Sequence, residues 1–209
     1  MAARMTTPRT NTIAVIGTHL PRRCGIATYT SDLCDALQEV KGHSGRVLVV
    51  AINDAPEGYL YPERVRFVIQ ETVQADYRMA ADFLNINEVD VVILEHEYGI
   101  YGGPAGAYIL RLLRELRMPV LTTVHTVLTE PNEMERRVML ELTELSARVV
   151  VMSRKGVEIL QKVYGVPKEH IAFIPHGIPD VPFVDPAFYK DKFGLEGRKV
   201  ILTFGLLSP

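Results

Sequence analysis

The sequence predicts an α/β fold, a doubly wound parallel sheet, on three observations. Short apolar runs alternate along the chain with segments whose apolar residues recur at helical spacing. The apolar runs are continuous rather than alternating, as strands covered on both faces require. Polar and glycine-rich residues gather where those runs end, the side on which open α/β sheets bind ligands.

Residues 1–11 are polar, carry Arg4 and Arg9, and read as a disordered tail with no apolar segment for a signal peptide. Thr12 to Gly17 is the first buried strand, followed by a loop, Leu20 to Tyr29, with two arginines and a glycine. A helix over Tyr29–Val40 presents Tyr29, Leu33, Leu37 and Val40 at helical spacing and stops at Gly42. Arg46 to Ile52 is a second strand, the segment Ala55 to Pro62 a proline-containing loop, and Val65 to Ile69 a short third strand. Glu71 to Asn87 reads as a helix with Ala75, Met79, Ala80, Phe83 and Leu84 on one face. Val89 to Leu94 is a strand ending in the run Glu95 to Pro104. A helix over Ala105–Leu116, a strand over Pro119–Val124, and a helix over Glu133–Leu145 with Met134, Val138, Leu142 and Leu145 aligned follow. A strand over Ala147–Met152, a helix over Arg154–Tyr164 with Ser153 as N-cap, and a strand over Ile171–Ile174 complete the alternation. Each helix between successive strands is the right-handed crossover that a parallel sheet needs.

Pro175, Pro179, Pro182 and Pro186 then crowd one short stretch, which marks a linker. The reading is one domain over 12–178, a linker with a short helix over 179–198, and over 199–209 the first strand of a truncated carboxy-terminal domain. A lone strand of that kind cannot bury its own faces.

The balance of Lys, Arg, Asp and Glu leaves a net charge of −2, so no nucleic-acid partner is indicated. Cys24 and Cys34 read as reduced thiols of a cytoplasmic protein. No apolar run reaches the ~18 residues needed to span a bilayer.

Five strand ends carry candidate chemistry. The first offers Arg22 to Ala27, where a helix N-terminus, a glycine and guanidinium groups suit an anion. The fourth offers Glu95 to Gly103, within which Glu97, Tyr98, Gly99, Gly102 and Gly103 are able to contact a hydroxyl-rich ligand through a carboxylate and close backbone approach. The fifth offers His125 and Thr126, the sixth Ser153 and Arg154, the last His176 and Gly177. His125, directly at a strand end, can donate a hydrogen bond or exchange a proton. A metal site is not expected at Glu95-His96-Glu97, because successive strand residues face opposite ways and no zinc-type spacing is present. The G-x-G-x-x-G dinucleotide turn, the P-loop and the G-x-S-x-G nucleophile turn are all missing.

Pro21-Arg22-Arg23-Cys24-Gly25-Ile26-Ala27, Glu97 to Gly103, Val124-His125-Thr126, Ser153 and Ile174-Pro175-His176-Gly177-Ile178 together resemble the retaining glycosyltransferases of family four, which have the GT-B fold. The resemblance covers the chain from Thr12 onward and only the amino-terminal half of that architecture. It implies two facing Rossmann-like domains, with the acceptor held by the amino-terminal one and a nucleotide-sugar donor by the other. Arg23, Gly25, Ile26 and Ala27 would approach the donor phosphates and the acceptor. His125 would contact the transferred sugar and carry the catalytic role. Glu97, Tyr98, Gly99, Gly102, Gly103, Thr126, Ser153 and Arg154 would line the acceptor or sugar site, and His176 and Gly177 would form the hinge. No metal ion and no cofactor are implied beyond the nucleotide-sugar substrate. The implied partners are that donor, a hydroxyl acceptor, which is a sugar, a lipid-linked sugar or a small molecule, and the chain's own carboxy-terminal domain. The implied place is the cytoplasm, with the inner membrane face as a peripheral site. Two features depart from the family pattern: Leu206 follows Phe204-Gly205 where Arg is common, and Pro179 displaces Asp180 by one position. The isolated half is expected to be inactive. A sugar-phosphate-binding module without catalysis, and half of a nucleotide-sugar epimerase, are the alternatives for the same fold.

Overall fold

The structure is a computed structural model that describes residues 10–42, 45–178 and 182–203. The chain divides into two compact units, Met1–His176 and Gly177–Pro209. Among the described residues, the first unit is built on one seven-stranded, all-parallel sheet. In chain order its elements are β1 (Thr12–Gly17), α1 (Gly25–Lys41), β2 (Arg46–Asn53), β3 (Val65–Gln70), α2 (Gln74–Ile86) and β4 (Val91–His96). They continue through α3 (Tyr108–Glu115), β5 (Val120–Val124), α4 (Glu133–Leu145), β6 (Arg148–Val151), α5 (Arg154–Lys162) and β7 (Ile171–Phe173). The strands lie in the order β3-β2-β1-β4-β5-β6-β7. Winding therefore runs outward in one direction from β1 and in the other from β4. The crevice beyond the carboxyl ends of β1 and β4, where the direction reverses, is the place such sheets offer a ligand.

Side chains of β1 alternate between two apolar clusters, Ala14 and Ile16 on one side, Ile13 and Val15 on the other. The larger cluster joins α2, α3, α4 and α5 to the sheet through Tyr77, Leu84, Ile109, Leu112, Met139, Leu142 and Leu160, all fully buried. The smaller one is closed by α1 through Cys34 and Leu37. Burial pushes the Cys34 thiol up to about 12, which keeps it protonated.

Three expectations shift. The first helix begins at Gly25, four residues before Tyr29, because Cys24 caps it: its Sγ accepts the Ala27 amide at 3.3 Å. The face that helix buries is Ala27, Thr30 and Cys34, with Leu37 partly buried, while Val40 is exposed; small residues let the helix approach the sheet. In α2 and α4 the buried stripes likewise pass through Tyr77 and Ala81, and through Met139 and Thr143, while Met79 and Met134 are exposed. The fourth strand runs on to His96, so Glu95 and His96 are ladder residues opposite Thr123 and Val124.

In the second unit, α6 (Pro186–Lys192) starts with Asp185 accepting the Ala187 amide at 2.9 Å. Residues 199–203, where a strand is expected, adopt none, and Ile201 is fully exposed. Phe204 and Gly205 of that expected strand, and residues 179–181 of the linker, lie outside the described residues, as do residues 1–9 of the tail.

Candidate active site

At the switch point β1 and β4 come close enough that a side chain on Gly17 would crowd its neighbours. A Cβ on Gly17 would sit 3.0 Å from the Glu95 Cβ and 3.3 Å from the Thr30 hydroxyl. The aliphatic stem of Glu95 packs against the face that Gly17 leaves bare, with its Cγ 3.5 Å from that Cβ position. Glu95 is fully buried, and its Oε2 lies 2.8 Å from His125 Nε2. Thr123, its register partner on β5, donates its hydroxyl to Oε1 at 3.4 Å. Burial raises the Glu95 carboxyl above its ordinary range, and the bonds from His125 and Thr123 oppose that rise.

His125 stands one residue past β5, and its amide donates to the His96 carbonyl at 3.0 Å, extending the ladder by one step. Its ring meets the Tyr29 ring edge-on at 5.0 Å, and Tyr29 meets His176 in the same manner at 5.2 Å. Burial, then the Glu95 charge, raises the Tyr29 phenol above its usual range, so it remains a neutral hydroxyl. His125 and His176 also line a cleft of about 480 Å³ with Val127, Met152, Ser153 and Gly156. That volume is in the range of small-molecule sites.

Carboxylates two apart on the β4 side each hold a residue at the β5 end. Glu97 accepts the Thr126 hydroxyl through Oε2 and the Tyr98 amide through Oε1 at 2.9 Å. Glu97 and Thr126 are thus brought together beside the Glu95–His125 pair. Ser153 caps α5, accepting the Gly156 amide at 3.0 Å, and is itself exposed. Arg154 is exposed and lies over the Phe173 ring at 5.5 Å.

Other sequence-predicted residues have a structural explanation. A Cβ on Gly102 would fall 2.1 Å from the Glu71 carbonyl oxygen, and Gly103 has φ of +81° against the Tyr108 ring. The backbone that approaches Gly102 closely is this protein's own, not a ligand's. Tyr77 anchors it further, its hydroxyl accepting the Gly102 amide at 3.0 Å and donating to Glu71. Tyr98 packs on the core, with its hydroxyl on the Glu135 carbonyl at 3.4 Å. Gly99 and Gly25 differ from that pair: a Cβ at either would meet nothing within 4 Å.

At the α1 N-terminus, Gly25, Ile26 and Ala27 form the first turn of the helix rather than a loop. The Ala27 amide is taken by Cys24, which leaves the Gly25 and Ile26 amides as the donors. Arg23 is exposed, whereas Arg22 is nearly buried and pairs with Asp54 at 3.2 Å. Sequence reasoning missed Glu95 and Tyr29 as site residues. Glu95 was legible only as part of an acidic run, and Tyr29 as one more apolar residue on a helix face.

Residues 24–180 match the family model described as Glycosyltransferase Family 4. The fold matches the crystal structure of a glycosyltransferase from Rickettsia africae ESF-5, with a TM-score of 0.61 at 14% sequence identity. That match covers 90% of this chain and 51% of the other, so the chain spans about half of that protein. Identity at this level establishes the likeness of fold. No curated protein matches the sequence.

Proposed function

The chain belongs to glycosyltransferase family 4, and from that premise we propose that it is the acceptor-side domain of a retaining, nucleotide-sugar-dependent transferase. A glycosyl group would pass from a nucleotide-diphosphate sugar to a hydroxyl acceptor, with no metal ion and no further cofactor. The observation that carries the reading is the strand-end His125, bonded to a buried carboxylate at the switch point of the sheet.

In this reading His125 contacts the transferred sugar. The Gly25 and Ile26 amides at the positive end of α1, with Arg23 and the open space beside Gly25, receive the donor diphosphate, while Ala27, buried against the sheet, holds that turn in place. Departure of that diphosphate is helped by preorganised dipoles and cations, which stabilise charge as it develops. Glu97, Thr126, Ser153, Arg154 and the backbone at Gly99 face the sugar or the acceptor, while Gly102 and Gly103 shape the turn behind them. A second α/β domain, joined through His176 and Gly177, brings the donor. The place of action is the cytoplasm or the inner membrane face; among the described residues no helix is long and apolar enough to cross a membrane.

The test is His125→Ala in a polypeptide that carries both halves. Turnover is expected to fall at least ~100-fold, the scale of losing one preorganised transition-state contact. An unchanged rate in a folded variant removes His125 from the site.

A further inference from the structure

We propose that Glu95 is a positioning residue that holds His125 as its Nε2–H tautomer, so that the ring turns an unprotonated Nδ1 to the cleft. The inference rests on the proposed transfer site and adds the protonation pattern on which recognition there would depend.

Four observations lead to it. First, an ionised carboxylate can only accept hydrogen bonds, and both Glu95 oxygens are engaged. Thr123 donates its hydroxyl to Oε1 and the 2.8 Å contact places His125 Nε2 on Oε2, so with Glu95 ionised, the state that the His125 and Thr123 bonds favour against burial, the shared proton belongs to Nε2. Second, Nδ1 has no hydrogen-bond partner among the described residues and is not among the buried unpartnered atoms. The side chain keeps 12% exposure. Third, two contacts hold the ring and one holds the backbone beneath it. The His125 amide is tied to the His96 carbonyl, Tyr29 packs perpendicular to the ring, and Glu95 fixes Nε2. A ring flip would bring Nδ1 onto the carboxylate only by breaking the 2.8 Å bond.

Fourth, a buried acid is not what packing alone selects at such a position. Replacing a buried charged pair with apolar groups of similar size is often neutral or stabilising. Yet the chain buries an acid on a central strand, its stem packed against Gly17. The groups around the pair are Thr123 on β5, whose hydroxyl meets Glu95, and Tyr29 on α1, whose ring meets His125, with His176 behind Tyr29, while His96 lies on the other face between Tyr98 and Tyr101. Among the described residues no hydrogen bond reaches His125 Nδ1. A bare Nδ1 lone pair matches a donor such as a sugar hydroxyl, and it mismatches a phosphate or carboxylate oxygen, which has no hydrogen to give.

Nitrogen NMR on the ¹⁵N-labelled 209-residue chain at pH 8 tests the assignment without any transfer assay. The wild type is expected to show His125 Nε2 at a protonated-type shift with an exchange-protected proton, and Nδ1 at an unprotonated-type shift. Glu95→Leu, which removes the acceptor, should lose the protected proton and average the two nitrogens. Glu95→Gln, with the same shape, should weaken proton protection while the amide spectrum stays folded. An Nδ1-protonated wild type, or a protected Nε2 proton that survives in Glu95→Leu, overturns the proposal. The readout needs no substrate, so its failure is distinct from failure of the transferase reading, which the His125→Ala turnover decides.

Discussion

At the scale of single residues, glycine positions separate packing from recognition. Gly102→Ala forces a Cβ against the Glu71 carbonyl and Tyr108, and should cost about 1–3 kcal/mol in chemical denaturation, the range for overpacking. Gly25→Ala meets open space at the start of a helix, so its stability should stay within about 0.5 kcal/mol of wild type. If a donor approaches there, the same change impairs turnover in the two-domain enzyme while the melting curve is unmoved. His96 supplies a second residue-scale expectation. It is fully buried between the Tyr98 and Tyr101 rings, and neither ring nitrogen has a partner among the described residues. Burial pushes it down from 6.5 to about 3. The folded chain thus keeps His96 neutral while the unfolded chain takes a proton below pH about 6.5, so the unfolded state binds more protons. Stability therefore falls as pH drops from about 6.5 towards 3, with a slope for this group approaching about 1.4 kcal/mol per pH unit. The stability difference between wild type and His96→Leu should be flat above neutral pH and shift against wild type below 6. A difference that does not change with pH would refute the burial argument.

At the scale of elements, strand and helix identities were legible because periodicity reports how many faces an element buries. The helix Glu133–Leu145 matches its expected span residue for residue. Its start is set by a reciprocal cap: Asn132 accepts the Glu135 amide at 2.9 Å, and Glu135 accepts the Asn132 amide at 2.8 Å. Asn132→Ala should cost about 1 kcal/mol and lower the melting temperature by about 2–4 °C. The first helix is where the pattern misled. Thr30 and Cys34 do not read as apolar anchors, so the face was drawn through Tyr29 and Val40 instead. A cysteine is also a poor sequence signal for a cap, and the Cys24 Sγ acts as one only because Thr18 and the helix place it, at 3.1 Å from the Thr18 hydroxyl. The fourth strand was drawn short for a related reason. Glu95 and His96 look like loop residues until the ladder to Thr123 and Val124 is seen.

At the scale of the whole molecule, chain order and crossover handedness leave few ways to arrange seven parallel strands. That arrangement puts the α1 N-terminus and the β4 carboxylates beside one crevice. The proposed reaction needs a donor-bearing domain, so the 209-residue chain should fold and yet transfer no sugar. Detectable turnover of a nucleotide-sugar by this chain alone would refute that division of labour. Alternation of apolar runs with amphipathic segments was enough to determine the α/β class and the parallel sheet. So was the prominence of His125, because a histidine directly after a buried strand stands out in one dimension. The pairing of His125 with Glu95 was decided only in three dimensions. Thirty residues separate them in the chain, and the register of β4 on β5 brings them within 2.8 Å. The meaning of the glycines was decided there too. Sequence shows that a side chain is absent, and only packing shows whether the space belongs to the protein, as at Gly102, or lies open, as at Gly25.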